Sequence, residues 1–124
     1  MKVFVYFNLH RKLWSVKALS GEDKGRVIGH FHHVGVRRAT FKVSEAGRQR
    51  VIREQRKNVH AGVKGELVWT DKENYTSGIV LGHKVTYNPY KFNTFVDKQT
   101  LRPVHHAVEV WMDATNRNVY YFDC

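Results

Sequence analysis

Apolar residues recur at every second position along most of this chain, the period of half-buried strands rather than of helices. Residues 2–8 (KVFVYFN) are β-branched and aromatic, with apolar side chains on both faces, which predicts a central strand. Residues 13–19 alternate cleanly, Trp14, Val16 and Ala18 against Ser15 and Lys17. The SGEDKG run at 20–25 is a turn by composition. A third strand is expected over 26–34, carrying His30, His32 and His33, and Gly35 to Arg38 should form a bend or bulge. Residues 39–43 resume the alternation with Phe41 and Val43 inward and deliver the chain to its one helical stretch.

That stretch, SEAGRQRVIREQRKNVH at 44–60, predicts a helix over about 44–58. Ser44 can cap it by accepting a first-turn N–H, Glu45 suits the positive end of the dipole, and Arg56 and Lys57 suit the negative end. Gly47 stands at the third helical position, where a capping box needs Glu or Gln, so the cap is half made. Asn58 is the expected stop. At 100° per residue, Arg50, Arg53 and Lys57 share a narrow sector flanked by Arg56, opposite Val51, Ile52, Gln55 and Val59. One face is expected to pack and the other to carry concentrated positive charge.

Beyond the helix, Ala61, Val63, Leu67 and Trp69 mark a strand with Gly65 interrupting it, and 71–77 reads as a polar loop. Short strands at 79–81 and 83–87 break at Gly82, and Asn88-Pro89 ends that run. Residues 90–102 read as irregular and aromatic with a turn near 97–100. A strand over 107–113, with Val108, Val110 and Met112 on one face, then forms a hairpin with 119–122 across the TNRN turn. Seven to nine short strands, one principal helix and no βαβ alternation define an α+β chain. The expected architecture is a single domain over 1–124, a curled or barrel-like, mainly antiparallel sheet with the helix covering one face or end.

Charge adds what periodicity does not. Of the 21 Lys/Arg and 11 Asp/Glu, residues 1–62 hold 14 against 4, whereas residues 63–124 hold 7 against 7. The whole surplus of +10 therefore lies in the first half. Folding requires no such asymmetry; it bears on partners, foremost a polyanion whose phosphates release counterions when neutralised. Arg50, Arg53, Arg56 and Lys57 are the candidate contacts, supported by Arg37, Arg38 and Lys42 upstream. Arg suits phosphate because its planar fork can pair two oxygens. Tyr87, Tyr90, Lys91 and Phe92, with Phe95, could stack on bases, or could fold back to close the core.

Other chemistry is weakly signalled. His30 and His32, two apart on one strand, would share a face that could hold a metal, but no third ligand is spaced for it, so no metal or cofactor is expected. A metal-independent ribonuclease could be assembled from His60, with Arg53 or Arg56 and His10 or Tyr87, only if the fold brings them together. A single cysteine, Cys124, leaves no intrachain disulfide. No segment reads as a membrane span or secretory signal, which places the expected protein in a cytoplasm and away from membranes. The oligomeric state is not legible.

At FKVSEAGRQRVIREQRKNVHAGVKG (residues 41–65), at YNPYKFNTF (87–95) and at the opening KVFVYFNLH, the chain resembles small basic proteins encoded by tailed bacteriophages. The resemblance transfers no catalytic residue. It implies an infected bacterial cytoplasm, where such a protein would act on nucleic acid or on host machinery, including defence systems. The first expectation is thus a non-enzymatic nucleic-acid-binding module, RNA or DNA, using the helix face. The alternatives are an anti-defence or host-takeover inhibitor docked on an acidic host protein, and a small ribonuclease.

Overall fold

The computed structural model describes residues 1–55, 59–71 and 82–123. Its first strand, β1 (Lys2–Asn8), coincides with the expected one, and β2 (Leu13–Ala18) buries Trp14, Val16 and Ala18 as the alternation requires. The expected strand over 26–34 is instead divided. β3 (Val27–Phe31) ends, the chain bends at His32, and β4 (His33–Val43) begins. The bend or bulge expected at Gly35 to Arg38 takes the form of bulges within β4, with register shifts at Gly35/Val36 and between Arg37 and Thr40, and Arg38 at φ 51°.

The helix α1 (Glu45–Glu54) follows β4, then β5 (Ala61–Thr70), β6 (His83–Thr86), β7 (Val96–Asp97), β8 (His106–Asp113) and β9 (Asn118–Phe122). Among the described residues all nine strands form one sheet in the order β3-β2-β1-β5-β4-β8-β9-β6-β7, and every pairing is antiparallel. The β8–β9 hairpin and the turn at Asp97 are where the sequence places them, the latter closed by Asp97 Oδ1 accepting the Gln99 and Thr100 N–H groups. Val108, expected on one face with Val110 and Met112, does not share their burial. It is 49% exposed at the level of left-handed Arg38, and the neighbouring Ala107, opposite Ala39, is buried instead.

The curl of the sheet follows from connectivity. β3 and β4 stand four strand spacings apart in the order, about 19 Å in a flat sheet. Only His32 separates them, a link reaching at most about 7 Å. The five strands β3-β2-β1-β5-β4 must therefore roll up, with β3 and β4 as two halves of one strand bent around a corner. Asp71 pins that corner: its Oδ1 accepts the His32 and His33 N–H groups at 2.9 and 3.0 Å, and the His32 carbonyl accepts the Ala114 N–H at 2.7 Å. The roll remains open, because β3 and β7 are both edges, so the sheet is curled but not a closed barrel.

Inside the roll, Val3, Val5, Phe7, Trp14, Val16, Val34, Val36, Phe41, Val63, Val110, Met112 and Val119 form one apolar cluster. No helix among the described residues is long and apolar enough to cross a membrane.

Candidate functional site

Helix α1 is shorter than the sequence suggests. Ser44 caps it as expected, its Oγ accepting the Gly47 N–H at 3.2 Å, but the helix ends at Gln55, whose left-handed backbone (φ 54°) stops the ladder. The expected stop at Asn58, and the candidate contacts Arg56 and Lys57, lie outside the described residues. Because the helical repeat ends at Gln55, the expected packing face shrinks: Val51 is buried, Ile52 half-buried, and Gln55 and Val59 are exposed. Arg50 and Arg53 are exposed, as is Lys42 on the strand leading into the cap.

What holds this helix is a residue the sequence reading left unassigned. Arg48 Nε donates to the carbonyls of Pro89 and Phe92, both at 2.9 Å, while its guanidinium pairs with Glu45 at 2.8 Å. Arg48 falls one turn before Ile52, on the apolar side of the wheel, and a cation placed there was the available signal. A hydrogen bond from Gln49, with the charge of Arg48 beside it, holds the Glu45 carboxyl below its ordinary pKa. Gly47 lets this turn approach β5, since a Cβ on it would stand 2.7 Å from the Cβ of His60.

The loop aromatics divide. Tyr87 folds back: its ring centroid lies 5.0 Å from that of Phe95, which in turn lies 5.0 Å from Phe41. Burial pushes the Tyr87 hydroxyl up to about 12, and that hydroxyl sits 2.8 Å from His60 Nε2. The fold thus unites two of the ribonuclease candidates, His60 and Tyr87, as a brace beneath the helix. His10 lies elsewhere, on a groove described below. Phe92 is half-buried with its carbonyl taken by Arg48, whereas Tyr90 (58% exposed) and Lys91 face solvent.

The histidine pair does not share a strand face, because His32 occupies the bend after β3. His30 Nδ1 instead lies 2.7 Å from the Oγ of fully buried Ser15. Among the described residues no three His, Cys, Asp or Glu side chains converge as a metal site. Arg38 is fully on the surface, while Arg37 pairs across strands with Glu66 on one side and Glu109 on the other, so its charge is locally opposed.

On the outer face of the roll, away from the core, lie Phe4, Tyr6, Lys17 and Lys64, which the sequence reading treated only as strand. Phe4 is paired with Lys17 on β2 and with Lys64 on β5, and Lys64 with Thr40 on β4. Lys42 is opposite Gly62. The rings of Phe4 and Tyr6 are 6.0 Å apart and inclined by 29°. They line a shallow groove of about 620 Å³ whose rim includes His10, Gly25, Val27 and Val59. The side chains were readable, but their neighbours depend on strand register, which the sequence does not state.

These features define a small basic α+β protein built on an open, rolled antiparallel sheet. Residues 1–121 match the family model described as Mycobacterium phage L5 gene 82 protein. The chain is 44% identical over 118 residues to the Gene 82 protein of Mycobacterium phage L5, covering 90% of each chain. It therefore belongs to that family of bacteriophage proteins. No solved structure matches it.

Proposed function

We propose that the protein is a nucleic-acid-binding module that acts by electrostatic capture of the phosphate backbone. The observation that carries this reading is the charge asymmetry: a surplus of ten cations confined to residues 1–62. Arg38, Lys42, Arg50 and Arg53 of that half are exposed on consecutive elements, β4 and α1. Glu45, one of the two helix acids, is already engaged by Arg48 and Gln49 and offsets little of the remainder. Binding rather than catalysis is favoured because His60 and Tyr87 are engaged with each other and with the core: the Tyr87 hydroxyl lies 2.8 Å from His60 Nε2 and its ring packs on Phe95.

The test is a salt titration with short oligonucleotides. Three to five phosphate contacts give a log–log slope of roughly −2 to −4.5. Changing Arg50 and Arg53 to Gln should make that slope shallower by about 1.4–1.8. No binding at about 50 mM salt, or a flat salt response, rejects the reading. A nuclease-resistant complex with an acidic protein that these two changes abolish would replace it by the host-protein alternative.

A further inference from the structure

We propose that the outer face of β2, β1, β5 and β4 is a stacking platform for unpaired bases, so that the preferred ligand is single-stranded nucleic acid. This deepens the electrostatic reading above and rests on it. Phe4 and Tyr6 supply the π-faces, and Lys17, Lys64 and Lys42 supply the cations around them.

Three observations converge here. First, the rings turn away from the core. Val3, Val5 and Phe7 of the same strand are buried inside the roll, and Phe4 and Tyr6 point the other way and are only partly buried. Second, the Phe4 ring lies down on the sheet, because its Cζ passes 2.6 Å from where a Cβ on Gly62 would stand. A side chain at 62 would lift it. Together the two rings form a low surface open to the groove, not a knob awaiting a pocket.

Third, lysine predominates around the rings, with Glu66 as the diagonal carboxylate. Phe4 has a lysine on each neighbouring strand, Lys17 and Lys64, and Lys42 stands across from Gly62. Among the described residues, no carboxylate lines the groove. The next outward-facing row differs: there Lys2 and Arg37 alternate with Glu66 and Glu109. The other outer-face aromatic group, Trp69, Trp111 and Phe122, lies on that side, where Trp111 is between Glu109 and Asp113 along β8. Among the described residues the sheet's outer face therefore offers these two aromatic groups, and lysines outnumber acids around the first.

That combination selects the ligand. A lysine-flanked groove with partly exposed rings suits a strand whose bases are free to stack, since every base has a π-face and stacking is tolerant of sequence. A duplex hides its base faces and would meet only the lysines. An acidic peptide would satisfy the lysines and leave the rings unused.

The decisive measurement compares the full chain's affinity for a twelve-nucleotide oligo-dT, an abasic sugar-phosphate strand of the same length, and a twelve-base-pair duplex, at fixed salt. The expected result is that oligo-dT binds at least about tenfold more tightly than the abasic strand or the duplex. Tyr6→Leu should remove most of that preference and leave the salt slope unchanged, whereas Tyr6→Phe should retain it. Equal binding of all three ligands by the wild type overturns the platform while leaving electrostatic capture standing. Retention of the preference in both Tyr6→Leu and Phe4→Leu also overturns it. Failure of any ligand to bind at about 50 mM salt overturns both. Should Tyr6→Leu lose its folded circular-dichroism signature, the wild-type comparison of oligo-dT with the abasic strand decides alone.

Discussion

Phe4 and Gly62 are a matched pair: the ring on β1 lies where a side chain on β5 would otherwise be. A Cβ at position 62 would stand 2.4 Å from the Val5 carbonyl oxygen and 2.6 Å from Phe4 Cζ. The first of these is backbone, which cannot rotate away. Gly62→Ala should therefore force the strands apart locally and cost about 1–3 kcal/mol, the usual range for overpacking. Chemical denaturation checks the magnitude. A change under about 0.5 kcal/mol would mean that the two strands adjust freely.

Arg48 should matter more to the fold than its charge suggests. Arg48→Gln removes the Nε–H group shared by the Pro89 and Phe92 carbonyls, together with the pairing to Glu45, and is expected to cost about 1–3 kcal/mol. Arg48→Lys should not restore it, because one ammonium does not reproduce that geometry. Amide exchange should rise at Lys91 and Phe92, whose N–H groups close the turn on the Asn88 carbonyl. Unchanged protection there would remove Arg48 from the clamp.

Core weight lies in the sheet and not in the helix. Met112 is fully buried, so Met112→Ala should cost about 2–5 kcal/mol. Ile52 is only half-buried on a helix with one buried residue, Val51, so Ile52→Ala should cost distinctly less. Parallel urea melts test the order. The reverse ranking would show the helix to be the main packing element.

The Asp97–Tyr121 hydrogen bond, 2.6 Å long, should make stability fall at both extremes of pH. The Tyr121 hydroxyl, with the Thr100 and Gln99 N–H groups, holds the Asp97 carboxyl below its ordinary 3.8. The folded state thus favours the ionised form, and this stabilisation is present above about pH 4 and lost as pH falls through the depressed folded value. Burial, followed by the bond to Asp97, pushes Tyr121 from 10.0 up to about 12. That contribution is complete below about pH 10 and is lost as pH rises towards 12. Asp97→Asn should flatten the acid limb and Tyr121→Phe the alkaline limb, each at reduced stability near neutrality. An acid limb unchanged in Asp97→Asn would show that other carboxylates control it.

Local pattern determined much of this protein. Alternation over KVFVYFN and LWSVKA specified β1, β2 and their buried faces, because a strand's side-chain period is fixed by backbone geometry alone. Ser44 marked the helix start, since a cap is a contact between near neighbours in the chain. The family relationship was likewise legible in stretches such as 41–65 and 87–95. Tertiary structure decided the rest. The strand expected over 26–34 bends at His32 because Asp71, 39 residues later, binds the backbone of that corner. The helix stops at Gln55 by adopting a left-handed backbone that local propensity does not demand. His60 meets Tyr87, Arg48 reaches the 88–92 loop, and Lys17 and Lys64 flank Phe4 only through strand register and loop closure. Those relationships join residues far apart in the chain. A sequence period states which face a side chain occupies, and only the pairing of strands states which side chain lies beside it.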